Sequence, residues 1–363
     1  MIPCYYEPEV FLTLESLFRC QKGNFVVEII LVINSYQISS SEIQEFNRLT
    51  FEKASSFAEK NNSPSFYLTP IFINNLSGHQ TGAGVPRKIG MDLAINHFQN
   101  NPKGGIIVSL DADCTVEENY LTEIYCAFKK EKLLSATIEF HHPVEHLSIN
   151  DPLRKATSLY EEYLRYYKDA LTFTGYPYAY YTIGSAFAVT SETYQKVGGM
   201  GKQQAGEDFY FLQKVFPLGK TMFINTTCVY PAARISDRVP FGTGPVVAQM
   251  LDQGIEKSTY TVKAFIELKN LFDQLESFYQ ASFETTEEIL KQLPIHLQEF
   301  LQEDNFLAKL NEINLHTATY LNFRKRFFSY FTAFKILKYL NAIHPSVYPL
   351  SDVIKEYCLL KQQ

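Results

Sequence analysis

Short apolar, β-branched runs alternate with longer amphipathic segments through the first half of the chain, and that alternation admits few folds. Strands buried on both faces read as near-continuous apolar runs, and helices between them supply the crossovers of a mostly parallel sheet. The runs predicted to be strands are residues 2–5, 26–33, 66–73, 106–110 and 134–140. Between the first two, Phe11, Leu14, Leu17 and Phe18 sit at helical spacing behind Pro8, and Ser39-Ser40-Ser41 offers caps for a helix over 42–59. The chain is thus predicted to be an α/β protein. Beyond about residue 245 the pattern turns helical throughout, which places a domain over 1–245 and a helical region over 246–363, divided at Pro240-Phe241-Gly242-Thr243-Gly244-Pro245.

Composition narrows the function classes. With 46% hydrophobic residues in 363, the chain has ample material for a large core. A net charge of -6 supplies no basic field, so nucleic acid is not an expected partner. The six cysteines are scattered without a CxxC pair, which fits a reducing, cytoplasmic setting better than a disulfide or zinc framework. No apolar run approaches the ~20 residues a transmembrane helix needs. Contact with the inner face of a membrane is still open to the segment after Arg324-Lys325-Arg326, where Phe327, Phe328, Phe331, Phe334, Leu337 and Leu340 follow a basic cluster.

In open α/β sheets chemistry gathers beyond the carboxyl ends of strands. Four polar places follow apolar runs here: Glu7, Asn34-Ser35, the loop 74–88, and Asp111-Ala112-Asp113. Two carboxylates one residue apart suit a hard divalent cation shared with substrate phosphates, and equally suit a solvated turn. The stretch 82–90, with Gly82, Gly84, Arg87 and Lys88 ahead of a helix over 88–100, reads as a flexible loop able to meet a diphosphate, or as an ordinary turn with a basic pair. Glu207 and Asp208 precede an apolar helix over 209–216, where acids serve either as helix caps or as a general base. A strand over 182–189 is interrupted by Gly184, which suits close approach of a ligand or another backbone and equally a packing bulge. Eight tyrosines between Tyr160 and Tyr181 suit either an acceptor groove or core packing, and His141, His142 and His146 cluster without convincing ligand spacing.

Taken in order, these elements resemble family-two glycosyltransferases of the GT-A fold over residues 1–245. Ile2-Pro3-Cys4-Tyr5-Tyr6-Glu7 is similar to that family's opening strand and its Pro-x-Tyr-Asn-Glu signature, with Tyr6 where Asn is usual. Asn34 stands where an Asp usually faces the nucleobase, Arg87 in place of the family's basic residue before the third helix, and Asp111-Ala112-Asp113 at the metal motif. Gly184-Ser185 matches the small-residue strand under the donor, and Glu207-Asp208 the acidic pair with the catalytic base. The Gln-x-x-Arg-Trp motif of the processive members is absent, as is Trp altogether.

The resemblance implies a GT-A fold, a Rossmann-like mixed sheet flanked by helices, with a C-terminal α-helical extension. It implies a metal-dependent, hexosyltransferase-type enzyme that moves a sugar from a nucleotide-diphosphate donor to an acceptor hydroxyl with inversion. The expected nucleotide-sugar contacts are Pro3, Tyr5, Glu7, Asn34, Arg87, Asp111, Gly184, Ser185, Arg234 and Arg238, the last two closing over the diphosphate. Asp113, with Asp111, is expected to hold Mn2+ or Mg2+, Asp208 to be the base, and Glu207 to tune it or seat the acceptor. A glycan or lipid-linked molecule is the expected acceptor. A retaining transferase and a catalytically silent nucleotide-sugar or glycan-binding protein are the competing expectations.

Overall fold

A computed structural model describes residues 1–77, 82–99, 104–201, 206–235 and 242–363. Three parallel strands open the chain: β1 (Ile2–Cys4), β2 (Val27–Tyr36) and β3 (Phe66–Leu76), joined by α1 (Val10–Phe18) and α2 (Ser41–Asn61). β2 is the middle strand, with Cys4 opposite its Ile33 on one side and Phe72 on the other. Its residues from Ile29 to Tyr36 are all buried, as a central parallel strand covered on both faces requires. Val10, Leu14 and Leu17 form the buried stripe of α1, and the Ser40 hydroxyl caps α2 by accepting from Ile43 N–H at 3.3 Å.

After β3 come α3 (Gly84–Phe98), β4 (Ile106–Ser109), β5 (Cys114–Val116), α4 (Tyr120–Glu131), β6 (Ser135–Phe140), α5 (Pro152–Phe173), β7 (Phe187–Thr190), α6 (Ser191–Lys196), α7 (Glu207–Val215), β8 (Thr221–Pro231) and α8 (Thr243–Gln253). Leu110 N–H donates to the Met1 carbonyl at 3.2 Å, bringing the end of β4 beside β1. The strands then run β4-β7-β6-β8-β5, with β6 and β8 parallel and the remaining pairs antiparallel. This is the Rossmann-like mixed sheet with flanking helices that the resemblance implied.

Several boundaries differ from the sequence expectation. β2 and β3 run on past residues 33 and 73, so Asn34 and Ser35 are strand residues rather than loop. α3 begins at Gly84, which puts Arg87 in its first turn, its N–H bonded to the Ala83 carbonyl at 2.9 Å. Residues 182–186 are not strand, because β7 starts only at Phe187. β5 and β8 were not foreseen: one is three residues long, and the other mixes polar and apolar side chains along an only partly buried face.

The chain divides into two compact units, Met1–Thr157 with Thr182–Gln253, and Ser158–Tyr181 with Gly254–Gln363. Most of α5 thus belongs with the C-terminal helices, although it lies inside the sequence range 1–245. In that second unit follow β9 (Ser258–Thr259), α9 (Val262–Asp273), α10 (Leu275–Phe278), α11 (Phe283–Leu290), α12 (Ile295–Glu303), α13 (Phe306–Leu315), α14 (Tyr320–Tyr330), α15 (Ala333–Ile343), β10 (Ser351–Asp352) and α16 (Val353–Leu360). β9 and β10 form a two-residue antiparallel pair in what was expected to be wholly helical.

The ring stripe that could have faced a membrane is core instead. Phe327, Phe328, Phe331 and Leu340 are buried, with Phe272 against the first three, while Phe334 stays 43% exposed. Burial of rings this size outweighs any surface role. Among the described residues no helix is long and apolar enough to cross a membrane.

Candidate active site

The turn after β4 carries the two carboxylates, and three hydrogen bonds hold it. Cys114 N–H returns to the Asp111 carbonyl at 3.2 Å, Thr13 of α1 donates its hydroxyl to the Ala112 carbonyl at 2.8 Å, and Ala232 N–H reaches the Asp113 carbonyl at 3.0 Å. The apolar strand fixes where the turn begins, and Ala112 is small and buried enough to let α1 close over it.

Among the described residues an arginine meets each carboxylate. Arg87, 2% exposed, donates from Nη2 to Asp111 Oδ1 at 2.5 Å and from Nη1 to Glu207 Oε1 at 2.8 Å. A buried guanidinium needs such partners, and here it ties the strand-end acid to the first turn of α7. Gly184 makes room for it: a Cβ at that position would lie 2.5 Å from Nη1 and 2.9 Å from Nη2. Arg234, just beyond β8, donates from Nη1 to Glu7 Oε1 at 3.0 Å and from Nη2 to the second Glu7 oxygen, and also reaches Asp113 Oδ2 at 3.0 Å. Glu7 is itself buried and accepts from Glu9 N–H at 2.9 Å. Arg238 lies outside the described residues.

Glu207 and Asp208 both occupy the first turn of α7, where acids complement the helix N-terminus. Burial lifts the Glu207 carboxyl to about 6, against the pull of Arg87. Burial likewise raises Asp208 above the ordinary carboxylate range, again opposed by Arg87, and its Oδ1 accepts from Phe209 N–H at 2.7 Å. A carboxylate made more basic in this way is a better proton acceptor.

The remaining predicted residues sort into framework and pocket. Pro3 lies in β1 opposite Val32, and the Tyr5 hydroxyl bonds Ser39 Oγ at 3.1 Å. Ser185 is buried beside Cys114. Asn34 is fully enclosed at the end of β2, and neither atom of its side-chain amide has a hydrogen-bond partner among the described residues. His141 pairs with Glu145, and His142 Nε2 lies 3.3 Å from the Thr243 hydroxyl.

Two residues that sequence reasoning passed over brace the ends of these strands and the entry to α3. Asn47, buried on α2, donates from Nδ2 to the Asn34 carbonyl at 2.8 Å and to Ser35 Oγ at 3.1 Å, and accepts from Tyr6 N–H at 2.9 Å. Its signal was an amide on the buried face Asn47, Thr50, Ala54, Ala58 of an otherwise amphipathic helix. Tyr36 donates its hydroxyl to the Gly82 carbonyl at 2.6 Å and accepts from Gly82 N–H at 3.3 Å, pinning the entry to α3.

Among the described residues no group of three or more His, Cys, Asp or Glu side chains converges as a metal cage. Asp111 and Asp113 keep 37% and 29% of their side-chain surface exposed, however, and Arg87 engages Asp111 through one oxygen only. That fits Mg2+ or Mn2+, which need one or two carboxylates and take their other oxygens from substrate phosphates and water.

No protein-family model matches the chain, and no curated protein matches it. Among solved structures it is similar to Staphylococcus aureus TarS 1–349 in complex with UDP-GlcNAc, with 11% identity over 89% of this chain and 88% of that one and a TM-score of 0.45. The same fragment with UDP gives 12% identity, equal coverage and a TM-score of 0.43. GalNAc-T7 with UDP, GalNAc and Mn2+ gives 15% identity over 84% of this chain and 53% of that one, with a TM-score of 0.39.

Proposed function

We propose that this chain is a GT-A glycosyltransferase that transfers a hexose-type sugar from a nucleotide-diphosphate donor to an acceptor hydroxyl with inversion. The observation that carries the proposal is the Arg87 bridge, which joins Asp111 at the end of β4 to Glu207 at the start of α7 across a seat that only a glycine at 184 leaves open.

In this reading Asp111 seats the ribose and Asp113, with Asp111, holds the divalent ion, which supplies charge neutralisation of the diphosphate when bound. Asn34 has two enclosed, unsatisfied amide atoms, a standing cost that a nucleobase edge would relieve after a small opening of the pocket. Asp208 takes the proton of the acceptor hydroxyl as its oxygen attacks the anomeric carbon, and Glu207 holds Arg87 and tunes Asp208 through charge. Arg234 answers the negative charge that grows on the leaving diphosphate. The acceptor is a glycan or a lipid-linked molecule, and a cytoplasmic site, at most peripheral to the membrane, accords with scattered cysteines.

The test begins with a thermal-shift screen of nucleotide sugars, UDP-GlcNAc included, with Mn2+ or Mg2+, since a bound donor stabilises by mass action. Asp208→Asn should keep the donor shift and lose transfer by about 10²-fold or more. Full activity in that variant would remove Asp208 from the mechanism, and no shift with any donor under either metal would sink the transferase assignment. The anomeric configuration of the product separates inversion from retention.

A further inference from the structure

In the second unit, α5 presents Tyr160, Tyr163 and Tyr167 along one face at helical spacing. The rings of Tyr160 and Tyr163 stack at 6.1 Å and 20°, and Tyr167 lies 6.4 Å from the Tyr260 ring. Lys257 places its Nζ 4.3 Å from the centre of the Tyr163 ring. The neighbouring tyrosines spend their hydroxyls inside the unit: Tyr166 on the Tyr260 carbonyl, Tyr260 on Asn341, Tyr357 on Asp169, and Tyr176 as acceptor for Ala333 N–H. Tyr163 and Tyr167 do not, and among the described residues neither hydroxyl makes a hydrogen bond. Nor does Lys257 have a carboxylate partner among them; burial holds its ammonium below the ordinary lysine range with no acid to offset it.

One cation, resting on the Tyr163 ring, and two phenols therefore share an aromatic wall in which the described residues supply neither a carboxylate to the ammonium nor a hydrogen-bond partner to the two hydroxyls. The ring face answers the ammonium only in part, and in a chain of net charge -6 this cation is not part of a general basic field. What completes the set is a ligand bringing oxygens: an oxyanion for Lys257, hydroxyl or ring oxygens for the two phenols, and an apolar sugar or polyol face for the rings.

We propose that this wall is a second binding site, for a hydroxyl-rich molecule carrying a phosphate or carboxylate group. The site takes the anion as a point charge at Lys257, so it discriminates charged from neutral sugars of the same shape.

Glucose 6-phosphate, glucuronate and glucose are titrated into the full chain by ligand-detected NMR. The anionic sugars should bind about tenfold or more tightly than glucose, a difference that one charge-assisted hydrogen bond supplies. Whichever anion binds more tightly identifies phosphate or carboxylate as the native group. Lys257→Met keeps the aliphatic stem over the ring and should abolish the preference, while Lys257→Arg should restore it. Tyr163→Phe with Tyr167→Phe should weaken all three sugars alike. Equal binding of glucose and the anions, or an unchanged preference in Lys257→Met, overturns the site. The donor thermal shift is read in parallel on wild type and Lys257→Met. A shift in both without an anion preference removes this site and spares the transferase assignment; an anion preference lost in Lys257→Met without any donor shift upholds the site and counts against the transferase assignment alone.

Discussion

Gly184 bears no side chain because the Arg87 guanidinium fills that space, and this makes a backbone position a test of the charge bridge. In Gly184→Ala the obstructing atoms are the far end of a long side chain, so Arg87 can swing aside at a stability cost of about 1–3 kcal/mol while leaving Asp111 and Glu207 unpaired. Transfer should fall by about 10²-fold, more than the stability loss explains, because misplacing a catalytic constellation is penalised so steeply. Equal urea midpoints with full activity would contradict the seat. Glu207 offers a second test. Its carboxyl titrates near 6 in the folded chain against 4.5 ordinarily, so the folded state holds the proton more tightly and this group's stabilisation, complete at low pH, is lost as pH rises through that window. Across it the stability difference between wild type and Glu207→Gln should drift by up to about 2 kcal/mol, with wild type losing ground as pH rises. A flat difference in urea titrations would show that Glu207 is not held in this way.

At the scale of elements, α2 is more than a cover for the sheet. Asn47 reaches across to the end of β2 and to Tyr6, whose φ of 49° a non-glycine residue adopts only when its surroundings hold it there. Asn47→Ala should cost about 2–4 kcal/mol through unpaired buried groups, and should weaken donor binding as Tyr6 and Asn34 relax. Denaturation and the donor thermal shift together check it, and loss of stability with unchanged donor affinity would make Asn47 purely structural. Helix and strand types were legible from the apolar runs, since periodicity reports which faces are buried. Their ends were not, because most of the extra residues of β2 and β3 are polar ones, Asn34, Ser35, Asn74 and Asn75 among them, that strand pairing carries into the sheet.

For the whole molecule, the interleaving of units is the main departure from a linear reading. Residues 158–181 join the C-terminal helices because their tyrosines anchor there, a long-range preference that a local pattern does not carry. That second unit has its own polar centre. Buried Glu267 accepts from His296 at 2.6 Å, from Tyr348 at 2.5 Å and from Tyr339, tying α9, α12 and α15 to the segment before β10. Glu267→Ala should destabilise this unit by about 3–5 kcal/mol, since one carboxylate satisfies all three donors. Hydrogen exchange should rise across 254–363 while 1–157 keeps its protection; uniform loosening of both would mean that the units unfold together.

The sequence alone determined the α/β class, most of the strands and the first helices before residue 245, and the residue types gathered at strand ends, because burial periodicity and turn chemistry are local. It also held Asp111, Asp113, Arg87, Glu207 and Gly184 as separate candidates. Only the tertiary structure decided that Arg87 spans Asp111 and Glu207 over Gly184, that Arg234 bridges Glu7 and Asp113, and that a phenylalanine stripe is core. Those facts depend on side chains far apart in the chain meeting at hydrogen-bond distance, and no window of sequence contains both partners.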